Sequence, residues 1–249
     1  MKPAKSMQPL VRGLLVALFW LGVWQALSML AAKPVLFASP LDTVKALLRL
    51  LPTKDFWAAA ATSLGRISLG FFLGLLIGLA LGIAAFRFSL VRTLLSPLLT
   101  LVKTVPVASF IILILVWFGS GPLAVIVALL IVLPQIYTST LAGLGSADRE
   151  LLEMAKLFRV SPGRTAWRIY RPALSPYLLG TCASALGMSW KAGIAAEVIG
   201  TPLHSIGEQM YLSKIYMDTA ELFAWTATVI LLSVGFEKLV LALLRKAAK

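Results

Sequence analysis

Residues 148–172 read DRELLEMAKLFRVSPGRTAWRIYRP and separate two long apolar stretches of the chain. The first half predicts an amphipathic helix, because its apolar residues recur near the helical period and share one face: Leu151, Leu152, Ala155 and Phe158. Ser161-Pro162-Gly163 predicts a break, and a second short helix is expected to run from there to Pro172. Apolar side chains on such a polar segment need a partner surface to cover them.

The sequence on either side of this segment is strongly apolar. The chain has 249 residues, of which 59% are hydrophobic, and a mean hydropathy of +0.92. Soluble domains are about 45–50% apolar. The excess is concentrated in runs of about 20 residues, the length that crosses a hydrocarbon core about 30 Å thick. The sequence therefore predicts an all-α, multi-pass integral membrane protein.

Six runs are expected to span the membrane, at residues 10–31, 63–86, 93–118, 123–141, 176–199 and 221–244. Pro106 interrupts the third run, and Pro134 lies inside the fourth. The first run is interpreted as an uncleaved span, since it is long for a signal peptide and lacks an A-x-A exit. Segment 33–61, with a short helix starting after Ser39-Pro40, and segment 200–220 should lie at the outer face.

The formal net charge of +13 is explained by where the basic residues lie. Lys and Arg concentrate in segments that six spans would place on one side, above all in 142–175, and cytoplasmic segments carry such an excess. Both termini are therefore expected in the cytoplasm, and no nucleic-acid partner is expected. The one cysteine, Cys182, excludes an intrachain disulfide. No metal site or nucleophile–base pair is expected either, because neither pattern occurs.

Four glycines, Gly70, Gly74, Gly78 and Gly82, repeat every four residues in the second run. This spacing places them along one stripe of a helix, where a second helix backbone can approach closely. General helix packing is the favoured interpretation, and a seam lining a translocation pathway is the alternative.

Four residues at membrane depth are candidates for a pathway: Lys103, Pro106, Lys191 and Glu197. An intramembrane charge is costly and usually faces protein or water, so both lysines are candidates for attracting an anion. Alternatively, Lys103 snorkels to the inner interface, and Lys191 pairs with a carboxylate or a free carbonyl. Glu197 lies six residues from Lys191 and so on a different helix face. A structural role, capping a neighbouring helix or holding an outer gate, is favoured for it.

The segment quoted above resembles the cytoplasmic "EAA" loop of type I ABC importer permeases. That pattern has Glu, then Ala two residues on, Gly six on, Ile sixteen on and Pro nineteen on. The matching residues here are Glu153, Ala155, Ile169 and Pro172. Arg159 stands at the glycine position, Met154 at the central alanine and Arg171 at the usual leucine. A glycine there can adopt a positive φ angle, which costs an arginine free energy.

Further segments are similar to the sulfonate, taurine and nitrate branch of these permeases: Ser39-Pro40 and residues 98–106, 117–119, 172–176, 196–200 and 218–219. The resemblance implies a MetI-like fold in the cell (inner) membrane. Residues 1–60 would form an N-terminal helix and an external segment, and residues 61–249 the permease core with its loop at 148–172. It implies ATPase coupling through Glu153, Ala155, Phe158, Arg159, Ile169 and Pro172.

The same resemblance implies the partners: a cytoplasmic ABC ATPase dimer, an extracytoplasmic solute-binding protein and a second permease copy in a homodimer. The chain has no G-x-x-x-x-G-K-[ST] phosphate loop, so ATP and Mg²⁺ are expected on the ATPase and no cofactor on this chain. The implied solute is a small organic or inorganic anion, with a neutral heterocycle or vitamin precursor as the alternative. The alternative is a secondary transporter or channel without an ATPase partner, which would explain the spans and the intramembrane lysines but not the loop. A membrane-embedded enzyme would need a catalytic set near one membrane face, and the sequence offers none.

Overall fold

A computed structural model describes the backbone of residues 7–31 and 36–248, and within these ranges regular structure is entirely helical. The expected cytoplasmic N-terminus at residues 1–6 and the start of the external segment at residues 32–35 lie outside the described residues. The helices are α1 (Met7–Ala31), α2 (Pro40–Leu50), α3 (Lys54–Arg87), α4 (Ser89–Thr104), α5 (Val107–Phe118), α6 (Leu123–Gly145), α7 (Arg149–Leu157), α8 (Pro162–Thr165), α9 (Arg171–Gly200), α10 (Ile206–Ile215) and α11 (Thr219–Ala248). A π-helical segment, Ala166–Tyr170, joins α8 to α9.

Four described helices are long and apolar enough to cross a membrane: α1, α3, α6 and α11. Helices α4 and α5 together would make a fifth span if the bent pair crosses. Helix α9 has 30 residues. At about 1.5 Å of rise per residue it is long enough to cross, but it is more polar than the other four. The expectation of six spans therefore stays a prediction, as does the cytoplasmic location of the termini.

The third run is not one continuous helix. Helices α4 and α5 are bent by 103° at the break between them. Val105, which precedes Pro106, has φ −68° and ψ 132°, and Pro106 is the N-cap of α5. The residue before a proline is displaced from helical angles, and proline itself cannot donate the next helical hydrogen bond. The interruption expected at Pro106 is confirmed, and it separates two helices that meet at a sharp bend. That the two helices together form one span stays a prediction.

Helices α3, α6 and α9 form the centre of the fold, and the glycine stripe of α3 lies against α6. A Cβ atom added to Gly74 would lie 2.8 Å from the Cβ of Val132, and one added to Gly78 would lie 2.9 Å from the Cβ of Ile136. Real Cβ atoms do not approach this closely, so only glycine lets the two helix backbones pack at this distance. The favoured interpretation of the stripe as helix packing is confirmed.

The two segments expected at the outer face hold more helix than predicted. Helix α3 begins at Lys54, before the expected start at residue 63, because the Thr53 hydroxyl accepts a hydrogen bond from the Phe56 amide. Helix α10 lies within segment 200–220, where no helix was predicted. Its signal is present in the sequence, since Ser205 and Glu208 have capping-box spacing and the Ser205 hydroxyl accepts from the Glu208 amide at 3.0 Å.

The second short helix of segment 148–172 does not end at Pro172, so that prediction is wrong. Helix α8 continues through the π-helical segment directly into α9. Within the π-helical segment, the Arg171 amide donates to the carbonyl of Ala166, five residues earlier. The wider turn interrupts the regular hydrogen bonding between residues four apart, so the N–H that Pro172 lacks costs less here than inside a regular α-helix.

Candidate functional site

The coupling loop, defined here as residues 148–172, begins with the capped helix α7. The Asp148 carboxylate accepts a 2.8 Å hydrogen bond from the Glu150 amide and fixes the first turn. Ala155 is buried. Leu152 is partly buried, and the other large apolar side chains of this helix and its cap are exposed: Leu151, Met154, Leu157 and Phe158. On the predicted apolar face, Leu151 and Phe158 are 45% and 71% exposed, so this face of α7 is open in this chain.

A groove of about 440 Å³ separates α7 from the segment that leads into α9. Three of the predicted coupling residues, Ala155, Phe158 and Ile169, border it together with Val160. Glu153 and Pro172 do not border it. The fold thus brings the apolar residues of the predicted set to one groove and leaves the predicted acid and proline outside it.

Arg159 has a φ angle of 53°, in the left-handed region that favours glycine. The Val160 amide donates to the Ala155 carbonyl at 2.8 Å, and the Arg159 amide donates to the Lys156 carbonyl at 3.1 Å. These two bonds form the Schellman end of a helix, whose left-handed position is usually glycine. The arginine therefore occupies the conformation expected of the glycine that it replaces.

Glu153 pairs with Arg149 within α7. The Arg149 Nε donates to Glu153 Oε1 at 3.1 Å, and both side chains are mostly exposed. An exposed pair of this spacing contributes only about 0.3–0.5 kcal/mol, so little holds Glu153 away from a partner. The Arg171 guanidinium lies 4.0 Å from the centre of the exposed Trp167 ring.

Glu197 lies in a buried polar cluster at the end of α9 and is 0% exposed. Its Oε2 accepts from the Ser63 hydroxyl at 2.6 Å and from the Gly207 amide at 3.3 Å. The Ser63 oxygen accepts from the Ile206 amide at 2.9 Å, and Arg66 Nη1 lies 4.0 Å from Glu197 Oε1. Glu197 and Ser63 thus cap α10, so the carboxylate holds neighbouring helices together and does not face open space.

The other pathway candidates lie near the α4–α5 bend. Lys103 borders a cavity of about 360 Å³ between this bend, α6 and α9. Pro106 is exposed at the bend itself. Lys191 is exposed on α9 and does not border the cavity, but it lies three residues after Met188, which does.

Sequence reasoning did not identify Ser63, Arg66 or Gln135 as members of these clusters. Ser63 meets Glu197 across 134 positions of sequence, and no local spacing announces such a contact. Gln135 borders the cavity and contacts the Met188 sulfur at 3.6 Å. A polar residue next to the intrahelical Pro134 was the available signal for it, since polar groups within spans mark interior faces.

Comparison with known proteins assigns the fold and the role. The family of binding-protein-dependent transport system inner membrane components matches residues 70–247. The taurine transport system permease protein TauC of Escherichia coli (strain K12) is 26% identical over 229 residues, which cover 90% of this chain and 83% of that protein. The putative aliphatic sulfonates transport permease protein SsuC of Bacillus subtilis (strain 168) is 25% identical over 226 residues, covering 90% and 81%.

A chain from inward-facing structures of the MetNI methionine ABC transporter shares the fold, with a TM-score of 0.56 at 17% identity over 77% of this chain and 94% of that chain. The apolar helices α1, α3, α6 and α11 agree with a membrane location. The chain therefore belongs to the binding-protein-dependent transport system inner membrane component family, and it is the multi-pass membrane permease subunit of a type I ABC importer, a transport subunit rather than an enzyme.

Proposed function

We propose that the coupling loop docks a cytoplasmic ABC ATPase, and that two copies of this chain form the pathway for a small anionic solute. In this proposal ATP and Mg²⁺ are bound by the ATPase, and an extracytoplasmic binding protein delivers the solute. The observation that carries the docking proposal is the open apolar face of α7, where Leu151 and Phe158 are 45% and 71% exposed. Side chains of this kind at the surface of a polar segment mark a protein interface.

The groove of the coupling loop suits a protein element better than a lipid surface. It is bordered by Ala155, Phe158 and Ile169 and also by two basic residues, Arg164 and Arg168. A short amphipathic element of the ATPase with acidic ends would fill its apolar floor and meet its charged rim. Movement of that element on ATP binding would then be transmitted through α8 and the π-helical segment into α9, because no break separates them.

The solute class rests on chemistry and on the two named relatives. Those relatives are named for taurine and for aliphatic sulfonates, and a sulfonate group carries a negative charge. This chain offers Lys103 and Lys191 as exposed cations on α4 and α9. A neutral heterocycle or vitamin precursor is the competing solute class and would gain little from either charge.

The test is reconstitution of the chain with the ATPase and the binding protein from the same source in liposomes. We expect ATP-dependent accumulation of a labelled sulfonate and a mass corresponding to two copies of this chain per assembly. Uptake of the sulfonate without the ATPase would indicate a secondary transporter or channel. Accumulation of a labelled vitamin precursor in place of the sulfonate would contradict the anionic solute class.

A further inference from the structure

The cavity at the α4–α5 bend lies at the middle of the fold. Pro134, which borders it, is the central residue of α6 (Leu123–Gly145). Met188 borders it from α9, and the bend itself contributes Lys103 and Val107. A bent or broken helix that borders a central cavity is a recurrent way to build a solute site in membrane transporters. The volume of about 360 Å³ falls within the range of small-molecule pockets, about 300–1,000 Å³.

The lining of the cavity combines one charge with apolar surface. Lys103 is its ionisable residue and Gln135 its amide, and the other side chains on its wall are apolar or thioether groups, such as Val107, Phe110 and Met188. The Gln135 Nε2 donates to the Ile131 carbonyl at 2.9 Å and so holds the amide in place. Such a lining is complementary to a molecule with one anionic group and an apolar body.

Lys103 has no acidic partner among the side chains that the structure describes. The two ion pairs there join Arg66 to Glu197 and Arg149 to Glu153. A positive charge on a helix that borders a membrane-embedded cavity is costly unless a counter-charge accompanies it. An anionic solute would supply that counter-charge.

The cavity also adjoins a polar face of the helices. Gln135 and Thr138 on α6 and Ser184, Met188 and Lys191 on α9 are exposed or partly exposed at helical spacing. The large exposed side chains of α5 are instead apolar, namely Ile112, Leu113, Val116, Trp117 and Phe118, while Ala108 and Ser109 are exposed at its start beside the bend. The Gln135 amide and the Lys191 ammonium are costly to expose to lipid, so we expect this face to meet protein or water.

We propose that the cavity bordered by Lys103, Gln135 and Met188 is a solute-binding pocket within the membrane for a small organic anion. Lys103 receives the anionic group, and Val107 and Phe110 contact the apolar body. This proposal rests on the anionic solute class proposed above. It differs from a purely local role for Lys103, in which the ammonium only complements the C-terminal dipole of α4.

The first test measures the electrostatic field of the cavity in the complete transporter. Met188→Cys is exposed to anionic and cationic methanethiosulfonate reagents of similar size, and the parent protein, whose Cys182 is buried, gives the background. Each rate is divided by the rate of the same reagent with 2-mercaptoethanol in solution, because a cationic reagent reacts faster with any thiolate. We expect the normalised rate of the anionic reagent to be at least tenfold higher than that of the cationic one, and this preference to be lost in Met188→Cys/Lys103→Met. A saturating sulfonate should slow the reaction. Equal normalised rates for both reagents, or no protection by the sulfonate, would overturn the proposal.

The second test measures uptake by the reconstituted transporter. Lys103→Met should lower sulfonate uptake at limiting concentration at least tenfold, and Lys103→Arg should retain most of it. The matched control is Lys238→Met, which removes an exposed lysine of α11 that does not border the cavity. Unchanged uptake in Lys103→Met would contradict the proposed solute-binding pocket but not the proposed transport function. Absence of sulfonate uptake by the wild-type transporter would contradict the proposed function instead, so the two failures are distinguishable.

Discussion

The hydroxyl of Ser63 donates a 2.6 Å hydrogen bond to Oε2 of Glu197, joining α3 to α9 across 134 positions of sequence. The same hydroxyl oxygen accepts from the Ile206 amide, and the same carboxylate oxygen accepts from the Gly207 amide. The first amides of a helix have no partner within the helix and must find one elsewhere. Two side chains from two different helices therefore accept from the Ile206 and Gly207 amides and complete the cap of α10, in which Ser205 accepts from the Glu208 amide.

Ser63→Ala should destabilise the protein by about 1–3 kcal/mol, because it leaves a buried carboxylate and a buried amide each with one fewer partner. Thermal unfolding of the purified chain in detergent measures this. Ser68→Ala is the matched control, since the Ser68 hydroxyl on the same helix has no hydrogen-bond partner in the structure. Equal shifts in midpoint for the two variants would show that the cap does not contribute to stability.

Gly78→Leu should prevent correct packing of α3 against α6. Even a Cβ atom at this position would lie 2.8 Å from the Leu133 carbonyl oxygen, so the leucine forces two helix backbones apart. The yield of monodisperse protein after solubilisation is the measurement. Gly65→Leu on the same helix is the control, because nothing lies within 4 Å of its added Cβ. Comparable yields from both variants would contradict the close packing of these helices.

Arg159→Gly should stabilise the end of α7 by about 1 kcal/mol, because glycine adopts a φ angle of 53° without the cost that a side chain carries. Slower hydrogen exchange at the Val160 amide, which closes this helix end, reports the effect. Arg164→Gly should instead destabilise its own helix, because Arg164 lies within the short helix α8 and glycine is unfavourable inside a helix. Faster exchange at Val160 in Arg159→Gly would refute the assignment of strain to this residue.

The orientation expected from the basic residues can be tested by labelling with a membrane-impermeant thiol reagent. Applied from outside to whole cells, it should modify Leu203→Cys and leave Ser161→Cys unmodified until the membrane is permeabilised. Both positions are exposed in the structure, and the native Cys182 is buried, so the background should be low. The reverse labelling pattern would show that the coupling loop does not lie in the cytoplasm.

Local chemistry explains which parts of the fold the sequence predicted. The start of α6 after the Gly119–Pro122 turn and the start of α2 after Ser39 follow from cap and turn residues that act on their near neighbours. The bend at Pro106 was located, but its angle was not, because proline determines where a helix stops and the packing of α4 and α5 on α6 determines the direction that follows.

The candidate site was predictable to the same extent. The apolar residues of the coupling loop and the unusual Arg159 were visible in one segment, since helical spacing and a motif position identify them. The Ser63–Glu197 cap and the pairing of Gln135 with Met188 join distant segments. The capping role of Glu197 was favoured from the sequence, but its partners were not identified, because the contacts depend on how α3, α6 and α9 pack together.

The most direct test of the account measures how tightly the purified permease binds its ATPase partner when Phe158 is truncated. Phe158 is 71% exposed at the coupling groove. Truncation of a central anchor residue typically weakens the binding free energy of an interface by about 2 kcal/mol or more. Glu153→Ala should also weaken binding of the ATPase, because it removes a negative charge that could pair with a basic group of the ATPase. The control is Phe19→Ala, which truncates a phenylalanine that is 64% exposed on the apolar helix α1.

The account predicts that Phe158→Ala inserts normally into the membrane and binds the ATPase about 30-fold more weakly than the wild type, the equivalent of about 2 kcal/mol. Phe19→Ala should bind like the wild type. If Phe158→Ala and Glu153→Ala both insert normally, bind the ATPase with wild-type affinity and support transport at the wild-type rate, then residues 148–172 are not the coupling element and the central claim is contradicted.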